Sequence, residues 1–405
     1  MNNLCVDVGW SSLNKHGEQL CGDHIEIRAQ NTQKTNNPPG VKLIQDKESL
    51  VFVLADGLGS GVKANILSTL TAKIISTMMA HSMSLKECVL TIASTLPVCQ
   101  KRGVAYSTFS IIRITNNEEA EIIQYDNPDV ILLRNGINYD YNKEKIIIDG
   151  KTIYKSKLSL ELNDIFVVMS DGAIHAGIGN TLNFGWQREN IVKYLEESYN
   201  EDNSAKTIST LLLDVCDSLY GYEPGDDTTI AAIKMRQKQI VNLLIGPPHD
   251  PVDDNKMLDL FFSKDGKHIV CGGTTSSIAA RYLGGEIKTN LEYIDPEIPP
   301  IAEIEGIDLV TEGVITINRV LQYAQSFLQD NKCYVEWSSK IDGASLISRM
   351  LFEEATDINF FVGKAINPAH QNPDLPIQFS IKMRLIDELA ACLKKMGKKI
   401  VVIYF

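Results

Sequence analysis

The chain has 405 residues, of which 44% are hydrophobic and 22% are charged, and its formal net charge is -12. This length predicts two or three domains, and the near-average composition excludes wholesale disorder, a collagen-like repeat and a small disulfide scaffold. The acidic excess argues against nucleic-acid binding, which needs a basic face, and suits a protein that gathers carboxylates around cations.

Apolar runs in the sequence are short, and none approaches the roughly 18 residues that cross a membrane. The N-terminus lacks a basic region followed by an apolar core, so we expect no secretory signal. The eight cysteines are scattered among apolar neighbours and form no Cys-x-x-Cys pair. These features predict a cytoplasmic protein with reduced core thiols and no membrane association.

The first part of the chain reads as short strands interrupted by helices. A polar segment with Pro38-Pro39-Gly40 predicts a loop over Asn31–Gly40. Ser84 and Glu87 form a capping box that opens a helix reaching about Lys101. The predicted strands are Leu4–Trp10, Cys21–Arg28, Leu50–Ala55, Tyr106–Ile114, Glu121–Tyr125, Val130–Arg134, Lys145–Ile148, Ile165–Ser170 and Thr228–Met235. The other predicted helices are Lys63–Met79, Gln187–Ser198 and Ala205–Leu219. This order suits two antiparallel sheets with helices outside.

Strands and helices alternate beyond Arg236, with Arg236–Gln239 as a short linker. The predicted strands are Ile240–Ile245, His268–Cys271, Asp308–Val310, Asp357–Val362 and Lys399–Phe405. The predicted helices are Asp254–Phe262, Ser276–Leu283, Val314–Gln329, Asp342–Glu354 and Phe379–Met396. Alternation of this kind predicts a mostly parallel, doubly wound α/β sheet. We therefore expect two α/β domains, over residues 1–236 and 240–405.

Aspartates stand at the ends of apolar strands in the first domain. Asp56-Gly57 and Asp171-Gly172 each follow such a strand, Asp226-Asp227 precedes one, and Gly22-Asp23 lies in an early strand. A single Asp-Gly pair is more often a hairpin turn. Two pairs that each end a buried strand favour a different interpretation, because a buried carboxylate is costly unless a cation neutralises it.

Hard divalent cations such as Mg²⁺ and Mn²⁺ take carboxylate and carbonyl oxygens. Two such ions can activate water for in-line hydrolysis of a phosphomonoester without a covalent intermediate. No Cys-x5-Arg loop and no Asp-x-Asp pattern at a strand end offers an alternative nucleophile.

These motifs, in this order, resemble the metal-dependent serine/threonine phosphatases of the protein phosphatase 2C superfamily. The resemblance is to the bacterial branch typified by the stage II sporulation protein E phosphatase domain, and it covers about residues 1–236. It implies an α-β-β-α sandwich with two Mn²⁺ or Mg²⁺ ions between the sheets. By position, Asp56 would bridge both metals, the Gly57 carbonyl would bind one, and Asp171 and Asp226 would hold the other.

The same resemblance assigns a catalytic role to Asp23 as well as to Asp56, and leaves the role of Asp227 open. The helix pair that follows Asp56 matches a pair that in this branch switches the metal site on and off, with Gly59 and Gly61 at the junction.

The motifs of the second domain do not identify a known family. Gly272-Gly273-Thr274-Thr275-Ser276 opens a helix after a predicted strand, where backbone N–H groups and hydroxyls face an anion. The segment is neither a Walker A loop nor Gly-x-Gly-x-x-Gly. Gly273, Thr274, Thr275 and Ser276 are therefore candidates for binding a small anionic ligand, while ordinary tight turns remain the alternative.

The sequence thus predicts a phosphatase that removes phosphate from phosphoserine or phosphothreonine on a regulatory protein, with a C-terminal sensing or partner domain. Two alternatives remain open. One is a non-catalytic signalling module on a phosphatase scaffold, and the other is a phosphatase of a small phosphorylated metabolite.

Overall fold

The computed structural model describes residues 4–29, 41–44, 49–95, 107–289, 295–329, 331, 333–365 and 381–405. The loop predicted over Asn31–Gly40 and the end of the helix predicted to reach Lys101 lie outside these residues. The chain divides into two compact units, the first ending at Gln237 and the second beginning at Lys238. None of the described helices is long and apolar enough to cross a membrane.

The first unit contains two six-stranded antiparallel sheets. One sheet has the order β3-β1-β12-β11-β7-β8. Its strands are β1 (Leu4–Leu13), β3 (Val41–Ile44), β7 (Ile131–Arg134), β8 (Ile137–Asn138), β11 (Ile165–Met169) and β12 (Thr228–Gln237). The other has the order β2-β4-β5-β6-β10-β9. Its strands are β2 (Asp23–Ala29), β4 (Leu50–Asp56), β5 (Thr108–Thr115), β6 (Glu119–Tyr125), β9 (Glu144–Ile148) and β10 (Lys151–Ser159).

Helices cover the outer faces of both sheets, which makes this unit an α-β-β-α sandwich. α1 (Gly61–Ala80) and α2 (Leu85–Thr95) pack on the second sheet. α3 (Asp171–His175), α4 (Arg188–Glu197) and α5 (Ala205–Leu219) pack on the first. The predicted capping box of α2 is confirmed, because the Glu87 N–H donates to Ser84 Oγ and the Ser84 N–H donates to Glu87 Oε2, at 3.3 and 2.8 Å.

β4 shows why its sequence is apolar throughout. Successive side chains of a strand point to opposite faces. Leu50, Phe52 and Leu54 join the core between the two sheets, whereas Val51 and Val53 join the core beneath α1 and α2. A strand with a core on each side has no polar face, so its C-terminal Asp56 stands out as a carboxylate at the border of two cores.

Gly9 lets α5 lie directly on β1. A Cβ at this position would be 2.1 Å from the backbone nitrogen of Lys206. Because that obstacle is main chain, Gly9→Ala has to displace the helix, and we expect a loss of about 3 kcal/mol in the free energy of unfolding. Gly225→Ala is the control, since its Cβ would meet only the Tyr220 ring at 3.4 Å. Denaturant unfolding of both variants measures the difference, and equal stabilities would contradict this packing.

The second unit is built on one seven-stranded sheet with the order β15-β16-β17-β14-β13-β18-β19. Five neighbouring strands run parallel: β17 (Leu309–Thr311), β14 (Lys267–Cys271), β13 (Ile240–Ile245), β18 (Asp357–Val362) and β19 (Lys399–Tyr404). β15 (Lys288–Thr289) and β16 (Ala302–Glu303) add an antiparallel edge. This edge is not predictable from the sequence, because two-residue strands carry no periodicity.

Helices in the second unit alternate with the parallel strands. They are α6 (Asp254–Phe262), α7 (Gly273–Leu283), α8 (Val314–Gln329), α9 (Tyr334–Ser339), α10 (Gly343–Ser348) and α11 (Ile381–Lys395). The helix predicted over Asp342–Glu354 is present, but its second half is a π-helical turn over Arg349–Glu354. Lys398 Nζ donates to the carbonyls of Phe352 and Ala355, both at 2.7 Å, and so satisfies groups that the wider turn leaves free.

Candidate functional site

Two of the predicted aspartates face each other at one end of the second sheet. Asp23 opens β2 and Asp56 closes β4, and the two are directly paired in the antiparallel register. Thr108 of β5 is the partner of Asp56 on its other side. The strand pairing therefore fixes two carboxylates next to one another at a single sheet end.

The glycines beside these aspartates are required by close packing. A Cβ on Gly57 would be 2.3 Å from the carbonyl oxygen of Ala64 in α1 and 2.7 Å from that of Gly22. A Cβ on Gly22 would be 2.7 Å from Asp227 Oδ2. The turn after β4 is thus compressed between the start of α1 and the loop before β2, and Asp227 is brought across from the other sheet.

The first sheet contributes Asp171, Asp226 and Asp227. Asp171 begins α3 directly after β11, while Asp226 and Asp227 immediately precede β12. The two strand ends are held together at Ser170, whose N–H donates to the Thr229 carbonyl and whose Oγ accepts from the Thr229 N–H, at 3.0 and 2.9 Å.

Gly172 completes this junction. A Cβ there would be 2.2 Å from the carbonyl oxygen of Asp227, so only glycine allows α3 to start so close to β12. The Tyr220 hydroxyl donates to the Gly172 carbonyl at 2.7 Å and fixes the same turn from the end of α5. Asp171 is therefore held against the Asp226-Asp227 pair by packing on two sides.

Burial and mutual repulsion raise the pKa values of these carboxyl groups. Burial, followed by the negative charges of Asp23, Asp171 and Asp226, raises the pKa of Asp56 to about 9. Burial, together with the negative charges of Asp227 and Asp171, also raises the pKa of Asp23 to about 7. The pKa of Asp226 is raised by burial and by Asp171. The site therefore holds more negative charge than the protein itself neutralises.

Unpartnered oxygens point to the same deficit of positive charge. Both carboxylate oxygens of Asp23 and Oδ2 of Asp227 are buried and lack a hydrogen-bond partner among the described residues. Within the described ranges, no group of three or more aspartate, glutamate, histidine or cysteine side chains lies close enough together to hold a metal ion without rearrangement. Carboxylates gathered from both sheets, with buried oxygens left free, are the chemistry that hard divalent cations require. The residues present therefore fit a divalent-metal centre.

Two basic residues near the site, Lys15 and His175, were not assigned a role from the sequence. The Lys15 N–H donates to Asp227 Oδ1 at 3.0 Å, and the Lys15 charge lowers the pKa of Asp226 against the larger effect of burial. His175 Nδ1 lies 4.0 Å from Asp171 Oδ2, one helical turn along α3. Lys15 lies in a polar loop without a motif, so only the fold reveals its position.

The second candidate site lies at the start of α7. Gly272 precedes the helix with a φ of 106°, and Gly273 and Thr274 are exposed. The hydroxyls of Ser276 and Ser277 donate to the carbonyls of Gly272 and Gly273, at 2.9 and 3.0 Å. Those two hydroxyls are thus engaged within the helix, and the free donors at this end are backbone N–H groups.

Residues 46–236 match the family model described as stage II sporulation protein E (SpoIIE). This segment is just under half of the chain and contains four of the five aspartates described above. No curated protein sequence matches the chain significantly.

Solved structures with a similar backbone include two of the cell fate determinant SpoIIE from Bacillus subtilis. One holds the PP2C phosphatase domain and a fragment of the regulatory domain. It is 16% identical, with a TM-score of 0.46 over 59% of this chain and 65% of that chain, so this chain spans just under two thirds of its length. The other holds the phosphatase domain without domain swapping. It is also 16% identical, with a TM-score of 0.42 over 58% of this chain and 95% of that chain.

A third similar structure is the catalytic domain of the serine threonine protein phosphatase PstP in complex with two manganese ions. It is 12% identical, with a TM-score of 0.38 over 58% of this chain and all of that chain.

The sandwich and its carboxylates agree with the matched family model, and residues 46–236 are similar to the SpoIIE phosphatases of the PP2C class.

Proposed function

We propose that this protein hydrolyses phosphoserine or phosphothreonine on a regulatory protein and that its second unit senses a ligand or recruits a partner. The observation that carries the catalytic part is the group of aspartates that two sheets bring together with buried, unpartnered oxygens. This group of carboxylates does not serve to stabilise the fold, because buried carboxylates without cations lower its stability.

The proposed roles follow from the position of each residue. Asp56 would contact both cations because it lies between the charges of Asp23, Asp171 and Asp226. The Gly57 carbonyl would be a ligand of one cation, and Asp171 and Asp226 would hold the other. When bound, the cations neutralise phosphate oxygens and make water a stronger nucleophile.

The remaining residues act on water and substrate. Asp23 lies opposite Asp56 and would accept a hydrogen bond from the attacking water. Lys15 supplies a positive charge beside Asp226, where it would attract the phosphate of the substrate. No side chain of the chain needs to be phosphorylated in this scheme.

The second unit would be a doubly wound regulatory domain. Gly273, Thr274, Thr275 and Ser276 remain the proposed contacts for a small anion, and the free backbone N–H groups at the start of α7 support this assignment. We further propose a cytoplasmic location, since cysteines scattered among apolar neighbours are typical of proteins kept reduced.

Hydrolysis of an aryl phosphate by the full-length protein tests the catalytic proposal. Activity should appear only with added Mn²⁺ or Mg²⁺ and should disappear in excess chelator, because the carboxylates alone cannot bind an anionic substrate. Asp202→Asn, which changes an exposed aspartate in the loop before α5, should leave the activity unaltered.

The outcomes separate the candidate functions. Full activity in chelator would contradict the metal-dependent scheme. Inactivity with both metals, together with retained binding of phosphopeptides, would favour the non-catalytic scaffold. A strong preference for a phosphorylated metabolite over phosphopeptides would favour a small-molecule substrate.

A further inference from the structure

Three large apolar side chains are exposed beside the aspartate site. Ile178 is 49% exposed, Phe184 is 80% exposed and Tyr222 is 73% exposed. We refer to these three residues as the apolar rim. Exposed aromatic side chains grouped near a functional site are characteristic of protein-binding surfaces.

Ile178 and Phe184 belong to the loop between α3 and α4, which folds back on α3. The Ile178 N–H donates to the His175 carbonyl at 3.1 Å. Gly185, directly after Phe184, is packed so closely that an added Cβ would be 2.9 Å from the Cα of His175. Both side chains therefore extend from backbone that contacts His175, whose ring lies 4.0 Å from the Asp171 carboxylate.

Tyr222 lies in the loop that leads from α5 into Asp226. The Tyr222 N–H donates to the Asp217 carbonyl at 2.9 Å, which supports its left-handed φ of 66°. The α3–α4 loop packs on this segment, because Thr181 Oγ1 donates to the Leu219 carbonyl at 2.8 Å. An added Cβ on Gly221 would be 2.6 Å from Asn180 Nδ2. The apolar rim thus sits on two loops that touch each other, and each loop is continuous with a proposed metal ligand.

We propose that the apolar rim binds the residues flanking the phosphoserine or phosphothreonine of a protein substrate and selects sequences with apolar side chains there. This inference rests on the proposed phosphatase function. Asp171 begins the helix that leads into one of these loops and Asp226 ends the other, so a polypeptide bound at these aspartates lies next to both loops. The substrate chain is therefore the occupant that the continuity of these loops with the site supports.

The distribution of charge supports the same occupant. Lys15 and His175 lie beside the carboxylates and would meet the phosphate, whereas the apolar rim offers neither a charge nor an amide. A small phosphorylated metabolite would make no contact with three large apolar side chains outside the aspartate site. A protein substrate gains affinity from them, because one apolar contact contributes roughly tenfold or more to selectivity.

Two matched phosphothreonine peptides test the inference, one with leucine and valine on both sides of the phosphothreonine and one with serine and glycine. The full-length protein should hydrolyse the apolar peptide with a kcat/KM about tenfold higher. Phe184→Ala combined with Tyr222→Ala should remove that preference and leave the kcat/KM for an aryl phosphate unchanged. Phe184→Ala alone should give a partial loss, and it removes a side chain that is mostly in solvent. Ile147→Ala, at a 70% exposed position on the outermost strand β9, is the control and should keep the preference.

A second readout does not depend on turnover. The fluorescence polarisation of labelled peptides should show about tenfold tighter binding of the apolar peptide by wild-type protein and equal binding of both peptides by the double variant. Equal kcat/KM and equal affinity of wild-type protein for the two peptides would overturn the proposal, as would a double variant that keeps the wild-type preference. If wild-type protein does not hydrolyse an aryl phosphate at all, the phosphatase function is rejected. The polarisation measurement would still decide whether the apolar rim binds the peptide.

Discussion

Asp56→Asn should lower the turnover of an aryl phosphate by on the order of 10³-fold at saturating Mn²⁺. Asp56 is the carboxylate most affected by its neighbours, because Asp23, Asp171 and Asp226 all raise its pKa in addition to burial. This central position makes it the natural bridge between two cations. An amide has the same shape but one weaker oxygen ligand and no charge, so metal binding and turnover should fail together.

The exposed Asp202→Asn provides the matched control for the loss of one negative charge, and it should retain wild-type turnover. Asp171→Asn and Asp226→Asn should weaken metal affinity and activity to a smaller extent, because each would hold one cation only. Near wild-type turnover of Asp56→Asn at saturating Mn²⁺ would show that another group bridges the metals.

The same substitution should stabilise the protein when metal is absent. The pKa of Asp56 is about 9 in the folded chain against 3.8 for an ordinary aspartate, so the folded state holds its proton more tightly than the unfolded state. Stability is therefore lost as the pH rises from about 4 towards 9. At pH 7, Asp56→Asn removes this cost, and we expect a gain of about 2 kcal/mol, equivalent to a Tm increase of about 4–8 °C in chelator.

Two further comparisons check the origin of this gain. Below about pH 3 the carboxyl is protonated in both states, because its unfolded-state pKa is 3.8, and the difference in Tm between variant and wild type should vanish. Adding Mn²⁺ should raise the Tm of wild-type protein and have little effect on Asp56→Asn, because only a competent site gains stability from its ligand. A lower Tm for Asp56→Asn in chelator at pH 7 would contradict the electrostatic description of the site.

The Asp-Gly pairs show both what the sequence predicts and where local patterns stop being informative. Asp149-Gly150 connects β9 and β10 as a hairpin, with φ of 51° and 72°. This pair forms the hairpin turn that is typical of a single Asp-Gly pair. Asp56-Gly57 and Asp171-Gly172 follow fully buried strands, and their glycines are required by close contacts instead of a left-handed φ. The burial of the preceding strand distinguished the two cases.

Long amphipathic helices were the most predictable elements. α5, α6 and α8 have the boundaries that periodicity indicated, because each buries one continuous face. β10 was missed, since Lys151, Lys155 and Lys157 interrupt the apolar pattern of a strand that is mostly half-buried or exposed. α3 was missed because five residues are too few to show a helical period.

The aspartates of the site were predicted from their positions at strand ends, but their mutual arrangement was not. It depends on contacts between distant segments, such as Gly22 against Asp227 and Gly172 against the Asp227 carbonyl. Lys15 depends on the same long-range packing, because nothing in its neighbouring residues links it to a site some two hundred residues away.

Isothermal titration of the metal-free full-length protein with Mn²⁺ tests the central claim most directly. The claim is that the aspartates of both sheets form one two-metal centre organised by Asp56. Wild-type protein should bind two Mn²⁺ ions per chain, and Asp202→Asn should do the same. Asp56→Asn should lose high-affinity binding of both ions, because they share this ligand. Binding of two ions by Asp56→Asn with wild-type affinity, or no Mn²⁺ binding by wild-type protein, would contradict the account.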